Sequence, residues 1–395
     1  MDTTTTPTKP HAPRWVLALL PLLILAALIA GFLALDPLSF FRGAFPPIET
    51  LAVQRITFPA PGSIRLEVIN GGPERTTISQ LTIDDAYWQF AISPDNVLDR
   101  LETATIDIPY PWVNGEPLAI NLITSTGLTF PATAAVAVKS PAVDGRTLLA
   151  YALLGIYVAI IPVGLGMLWY PFMRRIDRKW MNAILALTVG LLVFLFVDMV
   201  LEALDQAHAA PAVFQGVPVV IFGILLSLGV LLAVGRRSGE KSPQAVSTLI
   251  ALGIGLHNLG EGLAIGAAFA TGAAALGTFL VIGFTLHNIT EGIGIVAPLT
   301  RGERPRLRTF LLLALLAGGP AVLGTWIGGL AFSPFLAALF LSIGAGAILQ
   351  VIWEVSKMLV RDAQRAGGSA MTWLNFGGLA AGIVIMYLTA FLVKF

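Results

Sequence analysis

The chain has 395 residues, 56% of them hydrophobic and 12% charged, with a formal net charge of +1 and no cysteine. A soluble globular domain carries roughly 25% charged residues, so this composition belongs to a membrane protein, and its near-neutral charge gives no sign of nucleic-acid binding. Without cysteine there is no disulfide, no thiolate metal site and no cysteine nucleophile, so a metal site would need His, Asp, Glu, Asn, backbone groups and water.

Residues 1–14 are rich in Thr and Pro and read as a disordered cytoplasmic tail. Residues 15–35 form an apolar run of about 21 residues, long enough to span a bilayer. Lys9 and Arg14 precede it, as in a signal peptide. Its apolar core nevertheless exceeds the roughly 7–15 residues of a signal, and no small-x-small cleavage site follows, so an uncleaved transmembrane anchor is expected. Between residues 36 and 146 acids, Pro and Thr accumulate, with alternating runs at Ser63–Asn70, Thr77–Ile83 and Ala119–Thr124. Turn sequences at Asn70–Pro73 and Val113–Pro117 separate such runs, which predicts an extracytoplasmic β-sandwich-like domain of about 90 residues. Its acids are scattered and it has no His, so it reads as an accessory domain and not a metal-capturing one.

From residue 147 to 395 the chain reads as an all-α polytopic core. Eight apolar segments are expected at about 148–171, 181–205, 216–235, 245–270, 275–299, 309–331, 335–360 and 373–393. Basic residues fall in alternate loops: Arg174, Arg175, Arg178 and Lys179; Arg236, Arg237 and Lys241; Arg301, Arg304, Arg306 and Arg308; Lys357, Arg361 and Arg365. The connections 206–215, 271–274 and 332–334 have none. By the positive-inside rule the basic loops are cytoplasmic. With the anchor this gives nine crossings, an internal N-terminus, and an external β-domain and C-terminus.

One motif occurs twice. Leu256–Gly262 reads LHNLGEG and Leu286–Gly292 reads LHNITEG, 30 residues apart. Each copy places His and Glu at i and i+4, so His257 shares a helix face with Glu261, and His287 with Glu291. The short loop between them makes an antiparallel hairpin, and at ~1.5 Å per residue all four side chains fall within about 9 Å of one another in depth. An ionisable group at membrane depth costs roughly 3 kcal/mol on insertion scales. Four together need a compensating partner, and a divalent metal ion is the simplest. Imidazole with carboxylate suits Zn²⁺ first, and also Fe²⁺, Mn²⁺, Ni²⁺ or Cd²⁺. A lone His–Glu pair would read equally well as a structural hydrogen bond; repetition at matched depth is what favours a metal. Asn258 and Asn288 each follow a His and either extend the site or hydrogen-bond its ligands. The glycines at 253, 255, 260, 262 and 266 fit ordinary close packing of membrane helices.

This doublet resembles the HNxPEG-like motifs on the fourth and fifth helices of the ZIP family of divalent-metal transporters. The resemblance covers the region from about Leu148 to Phe395 and leaves the first helix and the β-domain outside. It implies an eight-helix core with inverted repeats around the motif hairpin, moving a divalent cation toward the cytoplasm with no prosthetic group. It implies His257, Glu261, His287 and Glu291 as primary ligands, with Asn258 and Asn288 in an adjoining second site that shares Glu291. Three features depart from the family pattern. Gly260 and Thr290 replace the motif proline, which predicts less kinked helices. Gly319, before Pro320, stands where many relatives carry the Glu of the second site, which favours one main site. The His-rich loop before the fourth helix is absent from Gly235–Gln244.

Asp198 and Glu202 form a further i,i+4 pair on the second core helix, read either as a pathway relay or as acids at headgroup level. Asp205 and His208 fall in the outer loop. Glu354, one turn from Gln350, reads either as an exit-route residue or as a snorkelling partner of Lys357. Two other functions stay open. A zinc-dependent intramembrane hydrolase would have Asp198 as its base, although HExxH is missing. A membrane metal sensor would act through the β-domain. The expected partners are the divalent ion and the bilayer of the cell membrane, with a homodimer left open.

Overall fold

The structure, a computed structural model, describes residues 14–35, 48–236 and 242–393. The N-terminal tail before Arg14, residues 36–47 at the start of the expected β-domain, and Arg237 and Lys241 of the basic loops lie outside these. By its contacts the chain divides into Met1–Ile48 and Glu49–Phe395. Among its described residues the first unit contains helix α1 (Arg14–Leu35), of 22 residues with Pro21 inside it.

The second unit begins with β-strands: β1 (Leu51–Ala60), β2 (Ser63–Asn70), β3 (Thr76–Ile83), β4 (Ala86–Tyr87), β5 (Ala91–Ser93), β6 (Val97–Leu98), β7 (Thr103–Ile108), β8 (Leu118–Thr124) and β9 (Thr129–Ala134). Two antiparallel sheets result, one ordered β1-β2-β7-β5 and the other β4-β3-β8-β9, with β6 paired to β3. Side chains on a strand alternate between faces, so Ile64, Leu66 and Val68 of β2 point one way, as do Ile120 and Leu122 of β8. These five are fully buried in a core shared with Ile78, Leu81 and Ile106. The expected strands at 63–70, 77–83 and 119–124 are present to within a residue.

Eight helices long and apolar enough to cross a membrane follow, making this a multi-pass membrane protein. They are α2 (Gly145–Met173), α3 (Arg178–Ala209), α4 (Gly216–Arg236), α5 (Pro243–Ala270), α6 (Ala274–Val296), α7 (Leu307–Ala331), α8 (Pro334–Arg365) and α9 (Trp373–Val393). Their bounds follow the expected spans closely. The largest difference is α8, which runs on to Arg365 because a fall in hydropathy marks the edge of the apolar stretch and not the end of helical backbone. Starts are set by side-chain caps: Asp144 accepts from Thr147 N at 2.7 Å, Ser242 from Ala245 N at 3.2 Å and Ser333 from Leu336 N at 3.3 Å. The hydrogen bond from the Thr147 backbone also holds the Asp144 carboxyl below its ordinary range.

The central helix is α5: 78% of its apolar window is buried, against 61% or less for every other span. Small residues make this burial tight. A Cβ on Gly262 would meet Ala321 Cα of α7 at 3.0 Å, and one on Gly266 would meet Gly329 N at 2.7 Å, so the two backbones touch. Both motif helices run unbroken through their motifs, as the missing prolines predict. Helix α6 returns antiparallel after the turn Thr271–Ala273, where Gly272 takes φ +80°.

The sheets rest on one end of the bundle. A Cβ on Gly272 would lie 2.6 Å from Val138 Cγ2, and one on Gly71, in the β2–β3 turn, 3.4 Å from Val213 Cβ. The segment after β9 therefore sits on the α5–α6 turn, and the β2–β3 turn on the α3–α4 connector.

Candidate metal centre

His257 and Glu261 come from α5, His287 and Glu291 from α6, and each is at most 4% exposed. The hairpin brings together all four residues singled out by the motif. Glu261 Oε1 accepts from His287 Nε2 at 2.5 Å and lies 2.9 Å from His257 Nε2. Glu291 Oε1 lies 3.6 Å from the same His257 nitrogen. The ring centroids of the two histidines are 6.2 Å apart. One ligand atom each from His257, His287 and Glu291 falls within 4.8 Å of the others, a few tenths of an ångström more than two metal–ligand bonds of about 2.1 Å span, so small side-chain shifts would close the set on one ion.

Asn258 and Asn288 are buried too, but their NH₂ ends are committed to helix contacts. Asn258 Nδ2 donates to Ala317 O of α7 at 2.9 Å. Asn288 Nδ2 donates to Val158 O of α2 at 3.0 Å and to Glu261 Oε2 at 3.2 Å. The Val158 carbonyl is available because its α-helical donor would be residue 162, a proline with no N–H, and α2 makes a π turn over Ile156–Ile160. Thr290, at one of the motif-proline positions, turns its hydroxyl back to His287 O at 2.6 Å. Beyond its own helix backbone, nothing lies within 4 Å of where a Cβ on Gly319 would be.

Satisfaction is uneven across the cluster. Glu261 has His287 and Asn288 as donors. Glu291 Oε1 and Oε2, His257 Nε2, Asn258 Oδ1 and Asn288 Oδ1 are buried with no hydrogen-bond partner. His257 Nε2 and Glu261 Oε1, at 2.9 Å, are close without hydrogen-bond geometry. Buried polar groups are normally paired, and a buried carboxylate without a donor is especially costly. Four of the five orphaned atoms are carboxylate or amide oxygens and the fifth is an imidazole nitrogen, and a cation complements such a set. Nitrogen and carboxylate donors fit Zn²⁺ and its neighbours in the first transition row.

Sequence reasoning missed Met199 of α3, whose Sδ is 2.8 Å from His257 Nδ1. A Met in the apolar run FVDMVL carries no signal that separates it from lipid-facing or core neighbours.

A cavity of about 320 Å³ leads to the cluster from the end that carries the sheets. Asp198, Met199 and Glu202 of α3 line it together with His257 and Glu261, so both acids of the α3 pair share a space with the motif. Glu202 also accepts from Gln206 Nε2 at 2.9 Å. Asp205 and His208 are exposed and are not among the lining residues. A second cavity, of about 760 Å³, lies between β1, the 131–141 segment and the helix connectors, and shares Thr271 and Phe332 with the first. Toward the opposite end, Gln350 of α8 is fully buried with both amide atoms unpartnered, and a Cβ on Gly253, one turn before His257, would lie 3.2 Å from its Oε1. Glu354, one turn further along α8, is buried and 3.7 Å from Lys357 Nζ. Beyond it Arg301 and Asp362 form an ion pair.

No protein-family model matches the chain, and no curated protein matches it.

Proposed function

We propose that this chain is a ZIP-like secondary transporter that moves a divalent cation, Zn²⁺ in the first instance, through the buried His/Glu cluster of α5 and α6. The observation that carries the proposal is the set of buried polar atoms without hydrogen-bond partners, next to a cavity lined by His257 and Glu261. In this reading α1 is a ninth crossing, the basic end of the bundle is cytoplasmic, and the sheets and the C-terminus are outside. The ion passes beneath the sheets through the larger cavity, then along the smaller one, where Asp198 and Glu202 supply negative charge. It is then held by His257, His287 and Glu291, with Glu261 closing the set. Binding takes the place of the His287 Nε2 proton, because ligands bind in deprotonated form, and the same competition favours release when the groups are reprotonated. Gln350 and Glu354 mark the way to the cytoplasmic end. Alternating access by rocking of one bundle against the other exposes the cluster to each side in turn.

Radiolabelled Zn²⁺ flux into proteoliposomes tests this, comparing wild type with the His257→Ala/Glu291→Ala double variant. Wild-type flux that the double variant abolishes is the expected result. Absence of wild-type flux for every divalent ion named above would sink the transporter and raise the hydrolase or the sensor. Flux that survives in the double variant would keep the class and remove the site.

A further inference from the structure

We propose that Val138, in the segment joining β9 to α2, is a latch of the transport cycle. Seated on Gly272, it holds the α5–α6 hairpin in the form whose cavity opens toward the sheets, and it leaves that seat before the ion passes to the other side. The inference rests on the transporter reading above and adds a regulatory contact to it.

On the side of the sheets the segment is anchored at two points. Ala137 N donates to Glu116 O at 2.8 Å, and Ala137 O accepts from Gly115 N at 2.9 Å. Ser140 N donates to Phe58 O at 3.0 Å, and Phe58 N donates to Ser140 Oγ at 2.9 Å. Val138 lies between these anchors, so its side chain is a fixed knob. Beneath it Gly272 takes φ +80°, and a Cβ there would lie 2.6 and 2.8 Å from the two Val138 methyls. Glycine serves twice here, supplying the left-handed backbone and leaving room for the knob. Thr271 Oγ1 is committed to Ala267 O at 2.9 Å, and among the described residues no backbone hydrogen bond joins the segment to the turn. The seat is therefore apolar and separable.

The sheets have a second seat, where Gly71 meets Val213 of the α3–α4 connector. Phe214 of that connector stacks on Phe335 at the start of α8, with ring centroids 4.9 Å apart. The sheets thus touch both the hairpin that carries the centre and the helices that face it. Within the core the hairpin is held unequally. A Cβ on Gly255, Gly262 or Gly292 would first meet backbone of α7 or α2, whereas one on Gly253, Gly260 or Gly294 would first meet side chains of α8 or α3. Interlocked backbones move together and side-chain contacts slide, so rocking carries the hairpin past α3 and α8. A roof seated on both sides opposes that motion, and Val138 is its seat on the moving side. Ala142, Val143 and Asp144, all exposed, join the Ser140 anchor to α2. Extended, three residues reach about 10 Å, which is the slack that such a movement needs.

The test uses the full-length protein in oriented proteoliposomes, with Zn²⁺ for flux and Cd²⁺ for binding, both supplied on the side of the sheets. Val138→Cys/Gly272→Cys adds a pair to a chain that has no cysteine. Its Cβ positions are 3.3 Å apart, near the ~3.5–4.5 Å of a disulfide. Oxidation is expected to lower flux by about tenfold or more and reductant to restore it, while Cd²⁺ affinity stays within about threefold, because the lock keeps the receiving form and spares the centre. Val138→Gly removes the knob and keeps both anchors. It is expected to weaken Cd²⁺ binding from that side by about two- to tenfold, in proportion to the lost share of the receiving form. An oxidised pair that transports like the wild type would overturn the proposal, as would loss of Cd²⁺ binding together with flux, or Val138→Gly with wild-type affinity. Gly272→Cys places a side chain on a left-handed backbone; if that pair fails to fold, the Val138→Gly result decides alone. A wild type that neither binds nor transports a divalent ion fails the functional reading, whereas a cross-linked pair that transports fails only the latch.

Discussion

His287 and Glu261 belong to different copies of the motif, yet His287 Nε2 and Glu261 Oε1 are 2.5 Å apart. His257 has Glu291 of the other copy at 3.6 Å in addition to its own Glu261 at 2.9 Å. The doublet is therefore one cross-paired unit and not two i,i+4 pairs side by side. Cross-pairing also makes the two glutamates unequal. Glu261 is satisfied by His287 and Asn288, while neither oxygen of Glu291 has a donor.

That inequality predicts opposite effects on the metal-free protein. Glu261→Ala strands a buried imidazole and a buried amide and should destabilise the fold by about 3 kcal/mol, as breaking a buried pair does. Glu291→Gln keeps the shape of the side chain and strands no donor, so thermal unfolding without metal should be unchanged or shifted upward, while Zn²⁺ binding by calorimetry is lost. Equal destabilisation by both substitutions would mean that Glu291 is paired in the folded protein.

Asn288 couples the cluster to α2 through the carbonyl that Pro162 leaves without a donor. Asn288→Ala should cost about 1–3 kcal/mol, the penalty for an unmet buried group. Pro162→Ala returns an N–H that can satisfy Val158 O within the helix. A double-mutant cycle should then show coupling of about 1 kcal/mol, with Asn288→Ala milder in the Pro162→Ala background. Strict additivity would show that the proline and the asparagine do not share the Val158 carbonyl.

The four motif residues and the eight spans are legible in the sequence because their signals are local: i,i+4 spacing, repetition, and long apolar runs. Strands β2, β3 and β8 are legible through alternation, whereas β4 and β6, two residues each, have no period to read. The cross-pairing is not legible, since it depends on how α5 and α6 rotate against each other, which the α7 contacts of Gly262 and Gly266 help to set. Met199 and the Val158 carbonyl are not legible either. One is an apolar residue in an apolar helix, and the other is backbone freed by a proline in a different span. For the Asp198–Glu202 pair, which the sequence leaves open, the structure adds a cavity shared with the motif.

The placement of the sheets over the helix connectors predicts a cross-link. The native chain has no cysteine, so a pair introduced at Gly71 and Val213 has no competitor. The Cβ position on Gly71 is 3.4 Å from Val213 Cβ, near the 3.5–4.5 Å span of a disulfide. Gly71→Cys/Val213→Cys should oxidise readily, and Zn²⁺ flux should change by less than about twofold, the sheets acting as a fixed roof over the path. Flux that stops on oxidation and returns with reductant would show that the sheets must move. A single Thr271→Cys, at the junction of the two cavities, should lose flux when labelled with a bulky methanethiosulfonate.

Under the proposed function, the orphaned polar atoms of the α5–α6 hairpin hold the ion. Anomalous scattering at the zinc edge, from crystals of the Zn²⁺-loaded protein, tests it most directly. One strong peak per chain is expected about 2.0–2.2 Å from His257 Nε2, His287 Nε2 and a Glu291 oxygen. A peak elsewhere in the bundle, or a loaded protein whose cluster shows no anomalous density, would contradict it.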